Sequence, residues 1–520
     1  VLTSYLPTLL APAGTTVSTS ALDSAADTLA TISDRFYGGF LAWALIAVGL
    51  YFTLRTRAVQ FRLFGAMLRE VAGSRSSADD HEGGISSFQA FAIGLASRVG
   101  TGNIVGVALA ITMGGPGAVF WMWVVALVGM ATGFVESTLA QVFKVRHSDG
   151  TFRGGPAYYI SRGLGSRRWG AIFAVIITFV FGFAYEATQA NTISTMVQDT
   201  FDVSPWATAV VLVLITAPIV FKGIRRVARI AEWMAPLMAT VYAIIALVIL
   251  VMNLGAIPMA LREIVEGAFG LNQAFAGLAG GFYAAMINGV RRGLFSNEAG
   301  EGSVPNAAAT ATTSHPVRQG FIQSLGVFVD TLVVCTATAL IVLLSGVYDP
   351  ATAQADGAST LTSASVASQL GDWAQYLMVA IVFVFAYSSL LGNYTYAEVN
   401  MDFLLRGRSK HYGLRTVILV ATFIGAVSSL TFVWNLADIA MGVMAVINIV
   451  AIVLLGKWCF GVLRDWEAQR KALVAGEIEE IRFVSTDNPY LPRELPGDVW
   501  AAPSSQEEPA SPGNHASVGA

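Results

Sequence analysis

The sequence is short of charge. Of its 520 residues only 12% are Asp, Glu, Lys or Arg, about half of the roughly 25% usual in soluble domains. Hydrophobic residues make up 55%, and mean hydropathy is +0.62. Such a composition excludes a soluble enzyme, a disordered regulator and a nucleic-acid binder. Cysteine is scarce as well. Cys335 and Cys459 both fall inside apolar runs, which leaves no basis for a disulfide framework. The five histidines, His81, His147, His315, His411 and His515, all lie in predicted loops or the tail. That argues against a haem, a metal cluster or a histidine proton relay within a membrane. Net charge is −3 and pI about 6.0, so the overall balance points to no polyanionic partner. The apolar stretch Tyr5 to Pro12 lacks a charged preceding region and does not read as an intact signal peptide. The chain opens on Val1, which fits either processing or an unusual start.

What the sequence has is long apolar runs, and a bilayer span needs roughly 20 apolar residues. Eleven predicted spans lie near 38–54, 86–113, 117–142, 171–198, 205–221, 229–254, 272–303, 318–346, 372–404, 412–430 and 433–461. Backbone groups cannot stay unpaired in lipid, and these runs are too long for barrel strands, so they read as helices. The expected class is an all-α membrane protein. Residues 1–35 form an extracytoplasmic segment, and 36–85 a first helix with a cytoplasmic loop. Residues 86–254 and 272–462 each hold five helices, joined by an interfacial piece over 255–271. From 463 to 520 a charged helical stretch gives way to a Pro/Ser/Glu-rich tail, expected to be largely disordered.

The basic residues test the count. If eleven spans alternate, 26 of the 31 Lys and Arg fall on one side, only Arg35 and Arg262 on the other, and Arg98, Arg291 and Arg292 within spans. The positive-inside rule then places the N-terminus outside and the C-terminus in the cytoplasm of a cell-membrane protein.

Two spans are not smoothly apolar. Span 2 contains Ala96-Ser97-Arg98-Val99-Gly100-Thr101-Gly102-Asn103, and span 7 runs from Asn288 and Gly289 through Arg291 and Arg292 to Asn297-Glu298-Ala299-Gly300-Glu301-Gly302. Glycine costs roughly 1 kcal/mol per helix position, and a charge at the bilayer centre about 2.5–3.5 kcal/mol on insertion scales. Taken alone, Gly100, Gly102 and Gly106 fit close helix packing. A dinucleotide fingerprint fits worse, because no strand precedes the glycines, and a potassium filter needs a short pore loop. The two spans lie five apart, so they cross the membrane in opposite directions. Interrupted helices in corresponding positions of inverted halves point to a transporter binding site. Freed amides at such a break bind a carboxylate, and freed carbonyls bind Na⁺.

The stretches Val99–Ile104, Gly114–Trp123 and Arg292–Gly300 carry a resemblance, as do Phe328–Thr331 and Trp434–Asp438. Over roughly residues 36–462 the chain resembles the alanine or glycine:cation symporters, also called sodium:alanine symporters, of the amino acid–polyamine–cation superfamily. The resemblance implies a LeuT-type 5+5 inverted repeat with one extra N-terminal helix. It places a substrate carboxylate at the backbone of Gly100, Thr101 and Gly102, and the substrate ammonium near Ala96 and Asn288, beside Gly289. It implies a Na⁺ site from the carbonyls of Ala96 and Val99 with the hydroxyls of Ser388 and Ser389. Those serines equally fit back-bonding to their own helix.

Other polar residues within the spans carry two readings each. Glu186 and Gln189 share one helix face. Gln189 is a candidate substrate contact, whereas Glu186 either works at the site or pairs with Arg98, Arg291 or Arg292. Glu136, Asp330 and Glu398 are weighted toward gating or structural pairing. Gln89 reads as a gate or packing contact, and Trp121 and Trp123 as an interfacial belt. Arg98 departs from the family pattern, and Asn288 and Asn393 make a more polar pocket than one for alanine alone. Arg98 has three readings: a salt bridge to a span 4 carboxylate, a substrate contact, or a substitute for part of the cation's charge.

The expected activity is Na⁺-driven uptake of a small neutral amino acid of the alanine or glycine type, by alternating access, with no catalysis and no cofactor beyond the coupling ion. Expected partners are the amino acid, Na⁺ and the lipid bilayer. A carrier for a more polar amino acid such as glutamine, or an H⁺-coupled one, is the alternative. A channel predicts a recurring polar stripe, and none is visible.

Overall fold

The computed structural model describes residues 28–74, 85–148, 150–270, 278–350, 357–406 and 411–502. The segment Tyr5–Pro12, His81 and His515 lie outside them.

The chain is predominantly helical. In order come α1 (Thr28–Arg55), α2 (Phe64–Gly73), α3 (Ser87–Arg98), α4 (Gly102–Gly114), α5 (Gly117–Val142), α6 (Pro156–Gly163) and α7 (Arg167–Phe201). Then follow α8 (Pro205–Val220), α9 (Ile224–Met252), α10 (Ile257–Ala268), α11 (Leu278–Asn297) and α12 (Val304–Thr310). The last are α13 (Pro316–Leu344), α14 (Ala358–Leu370), α15 (Trp373–Leu405), α16 (Tyr412–Val427) and α17 (Leu430–Ala475).

Seven of these helices are long and apolar enough to cross a membrane, and an eighth span results if α3 and α4, bent by 46°, are taken as one. At the other expected spans stand α8, α11 and α16. Two of them, α8 and α16, have 16 residues each. That is about 24 Å of helix against a hydrocarbon core of roughly 30 Å. The third, α11, carries Asn288, Arg291 and Arg292.

The centre of the bundle is α5, whose second half is buried on every face from Gly129 to Val142. Small residues let its neighbours close in. A Cβ on Gly293 of α11 would lie 2.5 Å from Val125, and one on Gly320 of α13 would meet Phe134 and Thr138. The expected interfacial piece is helix α10, and its Gly267 backbone packs on Gly117 at the start of α5. The indoles of Trp121 and Trp123 donate to Ala268 O at 3.2 Å and Thr336 Oγ1 at 2.8 Å. Both rings are therefore tied to neighbouring elements near the start of α5.

Three connections hold more structure than composition indicates. Between α5 and α6 a hairpin pairs β1 (Val145–Arg146) with β2 (Phe152–Arg153), antiparallel, Val145 opposite Arg153. Between α13 and α15, the Ala/Ser/Thr-rich α14 is helical because Thr362, Ser365 and Val366 are buried against the bundle. The third is the tail. The sequence reading puts a charged helical stretch from about 463, and α17 indeed continues to Ala475; of the tail after it, expected to be largely disordered, residues 481–502 pack on the protein. Phe483 and Trp500 are buried, the Trp500 indole donates to Gln141 O at 2.9 Å, and Phe483 N–H to Ser314 O at 2.9 Å. A few large rings anchor the segment, an effect that average composition hides. Residues 503–520 lie outside the description.

Candidate functional site

Helix α3 ends where side chains capture its next amides. In a continuing helix, the N–H of Gly100 would bond Ala96 O and that of Thr101 would bond Ser97 O. Here Gly100 N–H donates to Asn103 Oδ1 at 2.9 Å, and Thr101 N–H reaches Gln189 Oε1 of α7 at 3.4 Å. Val99 closes the helix at φ −78°, ψ 85°. Both carbonyls are thereby released from the helix, and Ser389 of α15 lies on both, 2.9 Å from Ala96 O and 3.0 Å from Ser97 O. Ser388 is 3.4 Å from Ala96 O. The serines also touch Phe385 O of their own helix, at 2.8 Å for Ser388 and 3.2 Å for Ser389, so the back-bonded reading and the cross-helix reading describe the same side chains. A hydroxyl has one proton and two lone pairs, so each serine keeps acceptor capacity for a hard cation.

Glycine is required at this contact. A Cβ on Gly100 would lie 2.1 Å from Ser389 Oγ and 3.5 Å from Gln189 Oε1, and one on Gly392 of α15 would lie 2.9 Å from Ser97 Cβ. Thr101 is buried, and its hydroxyl has no protein partner. Of the amides expected to meet a substrate carboxylate, that of Gly100 is already taken by Asn103. The longer contact at Thr101 leaves its amide the more accessible of the two.

The second break lies further along span 7 than the residue pattern implies. Helix α11 runs unbroken through Asn288, Gly289, Arg291 and Arg292. The break spans residues 298–303, where Glu298, Gly300 and Gly302 adopt φ of 56°, 99° and 86°. Asn288 therefore precedes it by about 13 Å of helix rise. Its amide donates to Ala284 O at 3.0 Å, and its Cβ faces Gly114, while a Cβ on Gly289 would meet Ala118 O at 2.3 Å. Both residues make helix-to-helix contacts with α4 and α5, away from the span 2 break.

The backbone of the second break is held from three sides. Glu136 Oε1 accepts Gly300 N–H at 3.2 Å. Asn448 of α17 donates to Gly300 O and to Glu136 Oε2, each at 2.9 Å. Asn297 Oδ1 accepts Ala299 N–H at 3.0 Å. Glu298 links the two breaks, accepting from Ser97 Oγ at 2.7 Å and from Ser303 Oγ at 2.6 Å. Glu301 accepts from Tyr185 at 3.1 Å.

The remaining candidates divide. Glu186 faces Asn393 and Thr422, each at 3.5 Å, rather than an arginine. This engages the Asn393 amide with a carboxylate of α7. Arg98 donates to Gln323 O of α13 at 3.0 Å and is buried, and a Cβ on Gly326 would strike its Nη1. It points toward α13, on neither α7 nor the Ser389 contact. Arg291 pairs with Asp34 at 2.7 Å, Arg292 pairs with Asp438, and Glu398 lies 3.6 Å from Arg415. Gln89 closes a capping box with Ser86 and donates to Glu232 at 3.2 Å.

Some residues at the breaks had no role in the sequence reading. Asn103 also donates to Asp330 Oδ1 at 2.7 Å, and Asp330 Oδ2 accepts from Ser296 and Thr331 at 2.8 Å. Phe295 lies 3.0 Å from where a Gly102 Cβ would stand, with ring centroids 4.7 Å from Tyr185 and 4.6 Å from Trp434. Beyond Trp434 a cavity of about 110 Å³ is lined by Arg291, Arg292 and Asp438. An Asn three residues after the first unwound glycine was the readable signal for Asn103. Nothing local marks the aromatic stack, which is assembled from α7, α11 and α17.

A family model described as "Sodium:alanine symporter family" matches residues 22–480. The chain is 46% identical over 450 residues to the amino-acid carrier protein AlsT of Bacillus subtilis, covering 86% of this chain and 94% of that one. It is 45% identical over 443 residues to the probable sodium/glutamine symporter GlnT of the same organism, covering 85% and 90%. It is 38% identical over 430 residues to the sodium/alanine symporter AgcS of Methanococcus maripaludis, covering 82% and 93%. Among solved structures, the manganese transporter of Eremococcus coleocola is similar in fold, with TM-score 0.51 at 12% identity, covering 75% of this chain and 87% of that one.

Proposed function

The chain belongs to the sodium:alanine symporter family, and on that premise we propose that it imports a small neutral amino acid driven by Na⁺. It is a multi-pass membrane protein and a transporter, not an enzyme. We assign it the plasma membrane, eleven spans, an outside N-terminus and a LeuT-type repeat of five plus five helices after α1. Supporting the repeat is the pair of breaks in oppositely directed spans, joined through Ser97 and Glu298.

The observation that carries the reading is the release of the Ala96 and Ser97 carbonyls toward Ser388 and Ser389. Na⁺ prefers hard oxygen ligands, and such a set of neutral oxygens suits a monovalent cation that must also leave. The substrate sits on the other side of the break, against Thr101 and Gln189, over the ring of Phe295. Rings close to Gly102 leave room for a short side chain, which favours alanine or glycine. Glutamine is the second reading, supported by the likeness to the probable sodium/glutamine symporter at nearly the same identity. Bundles rocking about the two breaks alternate access.

Labelled alanine uptake into proteoliposomes is expected to require an inward Na⁺ gradient, with unlabelled alanine and glycine competing better than glutamine. Uptake sustained by a proton gradient without Na⁺ overturns the coupling. Better competition by glutamine overturns the substrate class.

A further inference from the structure

Glu186 of α7 is buried without a cation. Elsewhere in the spans, Asp438 pairs with Arg292 and Glu398 lies 3.6 Å from Arg415. Glu186 is fully buried, and among the described residues no Lys, Arg or His stands against it. The elements packed on α7 supply only neutral groups at this turn. From α15 come Asn393 and Tyr387, whose hydroxyl donates to Ile215 O of α8 at 3.0 Å. From α16 comes Thr422. The cation of α16, Arg415, lies about two helical turns before Thr422 and is held by Phe221 O at 3.0 Å and by Glu398. Helix α17 meets α7 at Val433, and the next charge along it is the paired Asp438. Helices α8 and α14 contain no charged residue and no histidine. An unpaired carboxylate buried in such a place is far costlier than the neutral acid.

The direction of the hydrogen bonds points to the same form. The Thr422 hydroxyl has one proton, and it goes to Ile418 O at 2.9 Å. Toward Glu186 Oε1, at 3.5 Å, Thr422 therefore presents a lone pair. A carboxylate oxygen there would meet it lone pair to lone pair, whereas an O–H on Oε1 has an acceptor. On the other side, Asn393 Nδ2 faces Oε2 at 3.5 Å as a donor. One acceptor and one donor match a carboxylic acid, because a carboxylate only accepts.

This contact stands one helical turn from the groups at the first break. Gln189, three residues on from Glu186 and on the same face, reaches Thr101 N–H at 3.4 Å. Ser389, one turn before Asn393, lies on Ala96 O and Ser97 O. Between them, Gly392 packs on Ser97 so closely that a Cβ would stand 2.9 Å from Ser97 Cβ.

We propose that Glu186 works as a neutral carboxylic acid, its proton on Oε1 toward Thr422, and that this uncharged clasp of α7, α15 and α16 positions Gln189 and Ser389 at the break. Glu186 is thus a positioning residue that touches neither substrate nor ion. The role deepens the symport reading, and the uptake part of its test rests on that reading.

The test uses the full chain in proteoliposomes. At neutral pH the infrared spectrum of the wild type should contain the carbonyl stretch of a protonated acid that Glu186→Gln lacks. Glu186→Gln sets an N–H donor where the acid O–H stood, and it should keep wild-type alanine uptake. Glu186→Leu leaves Asn393 and Thr422 unmatched and should raise the substrate KM about tenfold. Should the leucine variant fail to fold, the infrared band and Glu186→Gln decide. Absence of the band in the wild type overturns the proposal, and so does loss of uptake by a folded Glu186→Gln. A band that Na⁺ removes would make Glu186 an ion ligand and overturn it as well. An unchanged KM in Glu186→Leu overturns the positioning role. A wild type that takes up no alanine refutes the symport reading instead, and the band then still decides the protonation of Glu186.

Discussion

Gly100→Ala tests the cation site most directly. The new methyl would stand 2.1 Å from Ser389 Oγ and 3.1 Å from Ser389 Cβ. The first distance is impossible, whereas the second is relieved by a shift of a few tenths of an ångström. Gly100 is not among the positive-φ glycines, so the backbone itself tolerates alanine and the cost falls on the serine. Ser389 Oγ must turn away from Ala96 O and Ser97 O, which it now meets at 2.9 and 3.0 Å. Overpacking of this kind costs about 1–3 kcal/mol, or roughly 5- to 150-fold in an equilibrium constant. The half-saturating Na⁺ concentration for uptake should rise by that order. Ser389→Ala should also raise it, by removing a ligand. The double variant should be no worse than Ser389→Ala alone, because the clash and the ligand are the same atom. The assay is Na⁺-dependent alanine uptake in proteoliposomes for all four corners of the cycle. Unchanged Na⁺ dependence in Gly100→Ala, or two effects that simply add, would refute the reasoning.

Three further outcomes are expected. Thr101→Val keeps shape and removes a buried hydroxyl that has no protein partner. It should leave the unfolding midpoint and Na⁺ affinity unchanged while raising substrate KM about tenfold, the worth of one hydrogen bond to a charged group; a wild-type KM removes Thr101 from the substrate side. Arg98→Met removes a buried guanidinium that donates to Gln323 O at 3.0 Å and leaves that carbonyl unmatched, which should destabilise the protein by about 1–3 kcal/mol, read as a lowered midpoint in a thermal melt; an unshifted melt shows that the Arg98–Gln323 bond does not hold α3 to α13. His315, just before α13, accepts Val317 N–H on Nδ1 at 3.2 Å and lies 3.0 Å from Asp465 through Nε2. Burial pushes its pKa below the usual range, with Asp465 pulling the other way. The unfolded chain then binds the extra proton, so stability should fall as pH drops below about 6.5. The slope should be smaller in His315→Asn, which keeps a capping acceptor, and equal slopes would show that His315 does not set it.

Much of the site was legible because a break must be written in local chemistry. Gly100-Thr101-Gly102 and the glycines at 300 and 302 cost too much in a lipid-embedded helix to be casual, and Ser388-Ser389 stood out in an apolar run. That the break falls at the far end of the Asn288–Gly302 stretch has an equally local origin. Asn288, Arg291 and Arg292 look as costly as Glu298 and Gly300 when read along the chain. They are accommodated in an intact helix because Asp34 and Asp438, from the two ends of the sequence, pair with the arginines. The same holds for Asn393, whose partner Glu186 lies on another helix.

The sequence by itself determined the class of the protein. Charge, hydropathy and the distribution of its basic residues are sums over one chain, and a bilayer imposes its cost on each residue separately. It also marked where helices cannot continue. Only the tertiary structure decided which polar groups meet. A buried carbonyl or amide has no preference of its own until a partner is brought within about 3 Å. Asn103, Gln189 and Ser389 became neighbours of one unwound turn through the packing of α4, α7 and α15, and the aromatic stack of Tyr185, Phe295 and Trp434 arose the same way. The charges that survive in the core follow this rule as well, each tolerable because a distant segment supplies its partner.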